Sequence, residues 1–175
     1  MPTEWWTAPE VEEIAEKLIA EHHPHLADVK IRYVFRDEAA KSRGRIVLGK
    51  ARKISGLNAH LVGLVGRNHV DGEVDFFVIE IASDTWRQLD DKQRVALVDH
   101  ELCHLNIEEP EDATKDRKLV LRGHDLEEFT EIVQRHGLWK PDVDEFARAV
   151  GQLTIDDQLK DVTVVQFRAT KDGES

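Results

Sequence analysis

Cysteine occurs once in this chain of 175 residues, at Cys103. That excludes an intramolecular disulfide and any zinc ribbon built from several thiolates. Positive charge is scarce too: 24 Lys and Arg stand against 35 Asp and Glu, a formal net charge of −11. The chain as a whole therefore repels a polyanion, and nucleic-acid contact would need a local basic patch. No apolar run approaches the ~20 residues of a membrane-spanning helix. The first residues carry Glu4, Glu10, Glu12, Glu13 and Glu16, unlike a secretory signal. These absences predict a cytoplasmic protein with no membrane partner. No internal repeat is visible. The hydrophobic fraction of 41% suffices for one ordinary core. The length fits a single domain over 1–175, with a compact core at about 8–150, an extension over 151–175 and a disordered tail.

The densest chemical signal is His100-Glu101-Leu102-Cys103-His104, a His-Glu-x-x-His pattern. On a helix, positions i and i+4 share a face, so two imidazoles can grip one metal ion from the same side. Glu101 would then reach a water activated by that ion and act as general base, without being a ligand. The flanks read as helix. Leu97, Val98, Leu102 and Cys103 are apolar, neither Pro nor Gly occurs from Thr85 to Ile107, and Asp90 with Gln93 forms a capping box. The helix is expected to run out near Ile107. The competing reading is an exposed helix face that happens to carry these residues. A catalytic zinc needs a third protein ligand. His124, after Gly123, is one candidate; Glu127 and Glu128 are the others.

The remaining chain reads as alternating elements. Trp5 and Trp6 belong to a loose N-terminal arm. Thr7 caps a helix whose Val11, Ile14, Ala15, Leu18 and Ile19 recur at helical spacing, with Glu10 at the box position. His22, His23 and His25 close it, answering the helix dipole or offering metal ligands. Strands are expected at 29–35, 44–48, 59–65 and 74–81, with Asp71-Gly72 as a hairpin turn before the last. The strand at 74–81 leads into the motif helix, the order in which zinc peptidases place an edge strand for substrate. Lys41, Arg43, Arg45, Lys50, Arg52 and Lys53 form a basic run, either a solvated strand face or a weak nucleic-acid contact that serves partner choice and not folding. The loop 108–112 is acidic and reads as solvated, and Leu119 to Leu121 is a short apolar stretch. Two helices follow. One starts near Asp125 with Leu126, Phe129, Ile132 and Val133 as its stripe and Gly137 as its stop; the other opens at Asp142 with Phe146 and Val150 inward. Residues 162–167 could form a strand.

His-Glu-Leu-Cys-His followed by Gly123-His124-Asp125-Leu-Glu-Glu-Phe129 resembles the SprT-like metallopeptidases, and more narrowly the metallopeptidases of phages and prophages. SprT-like proteins follow His-Glu-x-x-His with Gly-His-Gly-x-x-Phe. The resemblance implies an α+β, zincin-like fold with an N-terminal helix, a small mixed or antiparallel sheet, the motif helix and further helices. It implies Zn²⁺ held by His100, His104 and His124, with Glu101 as base and a protein or peptide as substrate. Asp125 replaces the second Gly and Phe129 is displaced by one residue, which leaves Glu127 or Glu128 open as ligand. The Cys-rich ribbon of many SprT proteins is absent. For the oxyanion, Tyr33, His60, His69 and Arg122 remain as candidates. The alternatives are a non-catalytic phage regulatory or DNA- or protein-binding protein with a structural zinc, an amidase on small substrates, and a fortuitous motif.

Protein purified without added metal should carry about one zinc per chain at this motif. By elemental analysis, His124→Ala should lose most of it. Loss in Glu127→Ala or Glu128→Ala instead would assign a His₂Glu set.

Overall fold

The computed structural model describes residues 2–42, 44–65, 75–110, 112, 117–126, 130–138 and 141–155. The chain divides into two compact units at residues 122 and 123. The first contains β1 (Trp5–Thr7), α1 (Pro9–His22), a 3₁₀ turn (Pro24–Leu26), β2 (Ile31–Arg36), β3 (Ala40–Ser42), β4 (Arg45–Val47), β5 (Gly49–Ile54), α2 (Leu57–Val65), β6 (Phe76–Ala82), α3 (Ser83–Trp86), α4 (Asp91–Cys103), β7 (Leu105–Glu108) and β8 (Lys118–Leu121). The second contains α5 (Thr130–His136) and α6 (Pro141–Ile155). The class is α+β, with helices set beside small, largely antiparallel sheets.

The run Phe76-Phe-Val-Ile-Glu-Ile-Ala82 is aromatic and β-branched, which suits a strand covered on both faces. It becomes the inner strand β6, parallel to β2 and antiparallel to β5; β1 extends the sheet beyond β2 in the order β1-β2-β6-β5. Period-two alternation sorts its residues by face. Phe77, Ile79 and Ile81 are fully buried and meet Tyr33 and Phe35 of β2 on one face. Val11, Ala15 and Leu18 of α1 and Val98 and Leu102 of α4 complete this core. Glu80 faces the other way and is buried as well. A carboxylate taken out of water needs charged or donor partners. Arg36 at 3.3 Å, Arg52 at 3.4 Å and the Trp5 indole N–H at 3.1 Å supply them.

Those contacts correct several expectations. The N-terminal arm is strand β1: Trp6 pairs with Phe35 in register and its ring lies 6.1 Å from the Phe35 ring. Thr7 is consumed by that pairing, so Ala8 caps α1 without a side-chain bond, and Glu10 accepts from the Trp86 indole at 3.0 Å. Residues 57–65 are helix α2, not a strand; a short apolar run carries no period that separates the two. The strand expected at 44–48 is β4, and a further strand, β5, follows it directly. β6 is an inner strand, and the edge beside the motif helix is β5. The basic run is not one patch. Lys50 and Arg52 share the Glu80 face, Lys53 points to the other and pairs with Asp75 at 3.4 Å, and Lys41 and Arg45 lie on the β3–β4 hairpin. Arg52 and Lys53 therefore help hold the sheet as well as face solvent. Arg43 and the expected turn at Asp71-Gly72 lie outside the described residues.

α4 stops at Cys103, short of Ile107, because Leu105–Glu108 pairs as β7 with β8. In the second unit, Gly137 (φ 68°) ends α5, its N–H bonding the Val133 carbonyl at 2.8 Å. Asp125 and Leu126 precede that helix and are not part of it. Phe146 and Val150 of α6 are exposed, not inward; among the described side chains of that helix, Val143 is the buried one. Phe129, the segment 162–167 and the tail lie outside the described residues. Among those described, no helix is long and apolar enough to cross a membrane.

The Asp90 cap is exposed, so removing its side chain tests the cap with little loss of packing. Asp90→Ala should lower stability by about 1 kcal/mol in urea denaturation. An unchanged midpoint would mean that packing alone sets the start of α4.

Candidate metal centre

α4 begins where the capping box places it. Asp90 Oδ1 accepts from the Gln93 N–H at 2.8 Å, and Gln93 Oε1 accepts from the Asp90 N–H at 2.9 Å. Val98 and Leu102, one turn apart, face the core and fix the rotation of the helix. His100 and His104 are thereby turned toward the surface, with ring centroids 5.0 Å apart and planes at 84°. The β7–β8 hairpin controls the second ring. Its register sets Leu105 opposite Leu121, which brings Arg122 beside His104. The Arg122 N–H donates to the His104 carbonyl at 2.8 Å, and His104 Nδ1 lies 2.8 Å from the Arg122 carbonyl. A carbonyl can only accept, so Nδ1 carries the proton, which leaves Nε2 as the ring nitrogen able to ligate a metal. His124 follows two residues later in the chain. It, His100 and His104 each offer a ring nitrogen, and these nitrogens lie within 4.8 Å of one another. Three imidazole nitrogens suit a borderline divalent metal and match the ligand number of an open, catalytic type of site.

Glu101 turns inward from the same helix and is 4% exposed. Its carboxylate lies against strand β5, where the Ala51 N–H donates to it. Burial pushes its carboxyl up to about 7, against the lowering influence of His104 and of that N–H. Gly49 makes room: a Cβ there would stand 2.8 Å from Glu101 Cδ and 2.9 Å from Cγ, well inside van der Waals contact.

The other candidates are dispersed. Tyr33 is buried in β2, its hydroxyl pushed well above its ordinary pKa by burial and by Glu12 and Glu16. His60 is exposed on α2, and Arg122 is exposed beside His104. His69, Glu127 and Glu128 lie outside the described residues. His23 joins Asp99, not the three-histidine group.

A model of the family described as "Putative phage metallopeptidase" matches residues 3–151. The chain belongs to that family. No curated protein and no solved structure matches it. Membership in the phage metallopeptidase family implies a metal ion and a protein or peptide substrate, and the matched span includes every residue of the three-histidine group and Glu101.

Sequence reasoning missed Gly49 and Ala51, the β5 residues that touch Glu101. A lone Gly beside a strand pattern signals close backbone approach, and that signal was available at Gly49. No signal in the sequence could have marked the Arg122 carbonyl, a backbone atom placed by a hairpin register.

Gly49→Ala should displace the Glu101 side chain and lower stability by about 1–3 kcal/mol. In a Glu101→Ala background the same change should cost much less, a coupling read from a double-mutant cycle in urea. Equal costs in both backgrounds would show that the space above Gly49 is not reserved for the carboxylate.

Proposed function

We propose that this protein is a zinc-dependent metallopeptidase of SprT-like kind, with His100, His104 and His124 as ligands and Glu101 as general base. The observation that carries the reading is the gathering of three imidazole nitrogens, two of them from the end of the helix that also buries Glu101 against the sheet edge. When bound, zinc supplies Lewis-acid polarisation of a carbonyl and makes a water more acidic. The Arg122 carbonyl holds the His104 ring in the tautomer that ligation needs. Glu101 takes a proton from the attacking water at its carboxylate and returns it to the leaving amine. Ala51 and Gly49 hold that carboxylate in place. As an edge strand, β5 offers backbone groups for an extended peptide laid beside the helix. Tyr33 is buried in the core, which leaves Arg122, exposed and next to His104, as the better-placed oxyanion partner. The lone Cys103 fits action in the reducing cytoplasm.

The rival is a non-catalytic regulatory or DNA- or protein-binding protein with a structural zinc. Structural sites usually close with four protein ligands, whereas three gather here among the described residues. Weak nucleic-acid contact through Lys41, Arg45, Lys50, Arg52 and Lys53 stays secondary, because the strand alternation divides these charges between faces.

Glu101→Gln decides between the two. It is nearly isosteric and should keep zinc and fold while proteolysis of an unfolded protein substrate falls by about 10²–10⁴-fold. Loss of zinc in the variant would make Glu101 a ligand or anchor. Equal inactivity of wild type and variant on unfolded and DNA-bound proteins would favour the structural reading.

A further inference from the structure

α4 carries a second pair of donors at helical spacing. Asp99 and Cys103 stand at i and i+4, one residue before His100 and His104, and so lie about 100° around the helix from them. His23 meets this pair from the end of α1. Its Nε2 is 2.6 Å from Asp99 Oδ1, and the nitrogen, the carboxylate oxygen and the Cys103 sulfur lie within 4.8 Å of one another.

His23 is held from both sides. Its N–H bonds the carbonyls of Leu18 and Ile19 at 3.2 Å, closing α1, while Pro24 begins the 3₁₀ turn and the Leu26 N–H bonds the His23 carbonyl at 2.9 Å. Its side chain is 10% exposed, whereas that of Asp99 is 41% exposed and Cys103 opens to solvent. One donor is thus pinned in the fold, and the other two can adjust. The neighbouring His25 ring stands edge-on at 5.9 Å, with its Nε2 3.4 Å from the Leu105 carbonyl, so it is engaged elsewhere.

We infer that His23, Asp99 and Cys103 form a second metal site, separate from the three-histidine group, for a borderline-soft divalent ion such as Zn²⁺ or Co²⁺. Imidazole nitrogen, carboxylate and thiolate form a mixed donor set that favours these ions over Mg²⁺ or Ca²⁺. On binding, the Cys103 thiol gives its proton to solvent and the sulfur becomes a ligand, so the donors bring two negative charges to a dication. In a tetrahedral site the His23 nitrogen and Asp99 oxygen stand about 3.3 Å apart, so their contact opens by a small rotation of the Asp99 carboxylate. Metal there would tie the end of α1 to the helix that presents His100 and His104. Without metal, His23 and Asp99 keep their 2.6 Å contact between the two helices.

The test is a Co²⁺ titration of the full chain, stripped by chelation and kept reduced, followed by absorption. Wild type should take up about two equivalents, one of them giving a near-ultraviolet sulfur-to-cobalt band. Cys103→Ser, a near-isosteric change at an exposed position, should lose that band and about one equivalent. His23→Gln should do the same, and His124→Ala should lose the other equivalent while keeping the band. The inference is overturned if wild type shows no such band. It is equally overturned if the band survives His23→Gln, or disappears with His124→Ala, since Cys103 would then belong to the three-histidine group or to none.

Discussion

A carboxylate buried against a sheet edge governs the layout of this protein. Glu101 gives up most of its hydration, and one strand must compensate: Ala51 supplies an N–H and Gly49 supplies the absence of a side chain. Both lie on β5, facing the side of the sheet where Ile79 and Ile81 build the core. Seating Glu101 there also seats Val98 and Leu102, and the rotation of α4 about its axis is then settled. Glu80 poses the same electrostatic problem on the opposite face, and its solution recruits Arg36, Arg52 and the N-terminal Trp5. Two buried carboxylates thus define both faces of one strand-and-helix layer.

Once that rotation is set, α4 sorts its residues by function. One face enters the core, Glu101 meets β5, His100 and His104 turn outward, and Asp99 with Cys103 turns toward the end of α1. The helix does not orient the histidines unaided. The tautomer of His104 depends on a backbone carbonyl that the β7–β8 hairpin delivers. In the proposed peptidase reading, local helical geometry would supply the ligands, and the edge strand would supply the surroundings of the base.

Local rules in the sequence were enough to determine the start of α4, its cap at Asp90 and Gln93, the spacing of His100, Glu101 and His104, the existence of strand β6 and the stop at Gly137. Each of these rests on contacts between near neighbours, where periodicity and capping chemistry operate over a few residues. Other features arose only from distant pairing. Trp5 and Trp6 became a strand because β2 had a free edge and Glu80 needed a donor 75 residues away. Residues 57–65 became a helix although their apolar run has no distinguishing period, and α4 ended at Cys103 because Leu105 found Leu121. Above all, the closeness of Gly49 to Glu101 and of Arg122 to His104 was decided by tertiary structure. Burial and strand register join groups far apart in the chain, and the cost of an unpaired buried charge is settled only once the fold has chosen its neighbours.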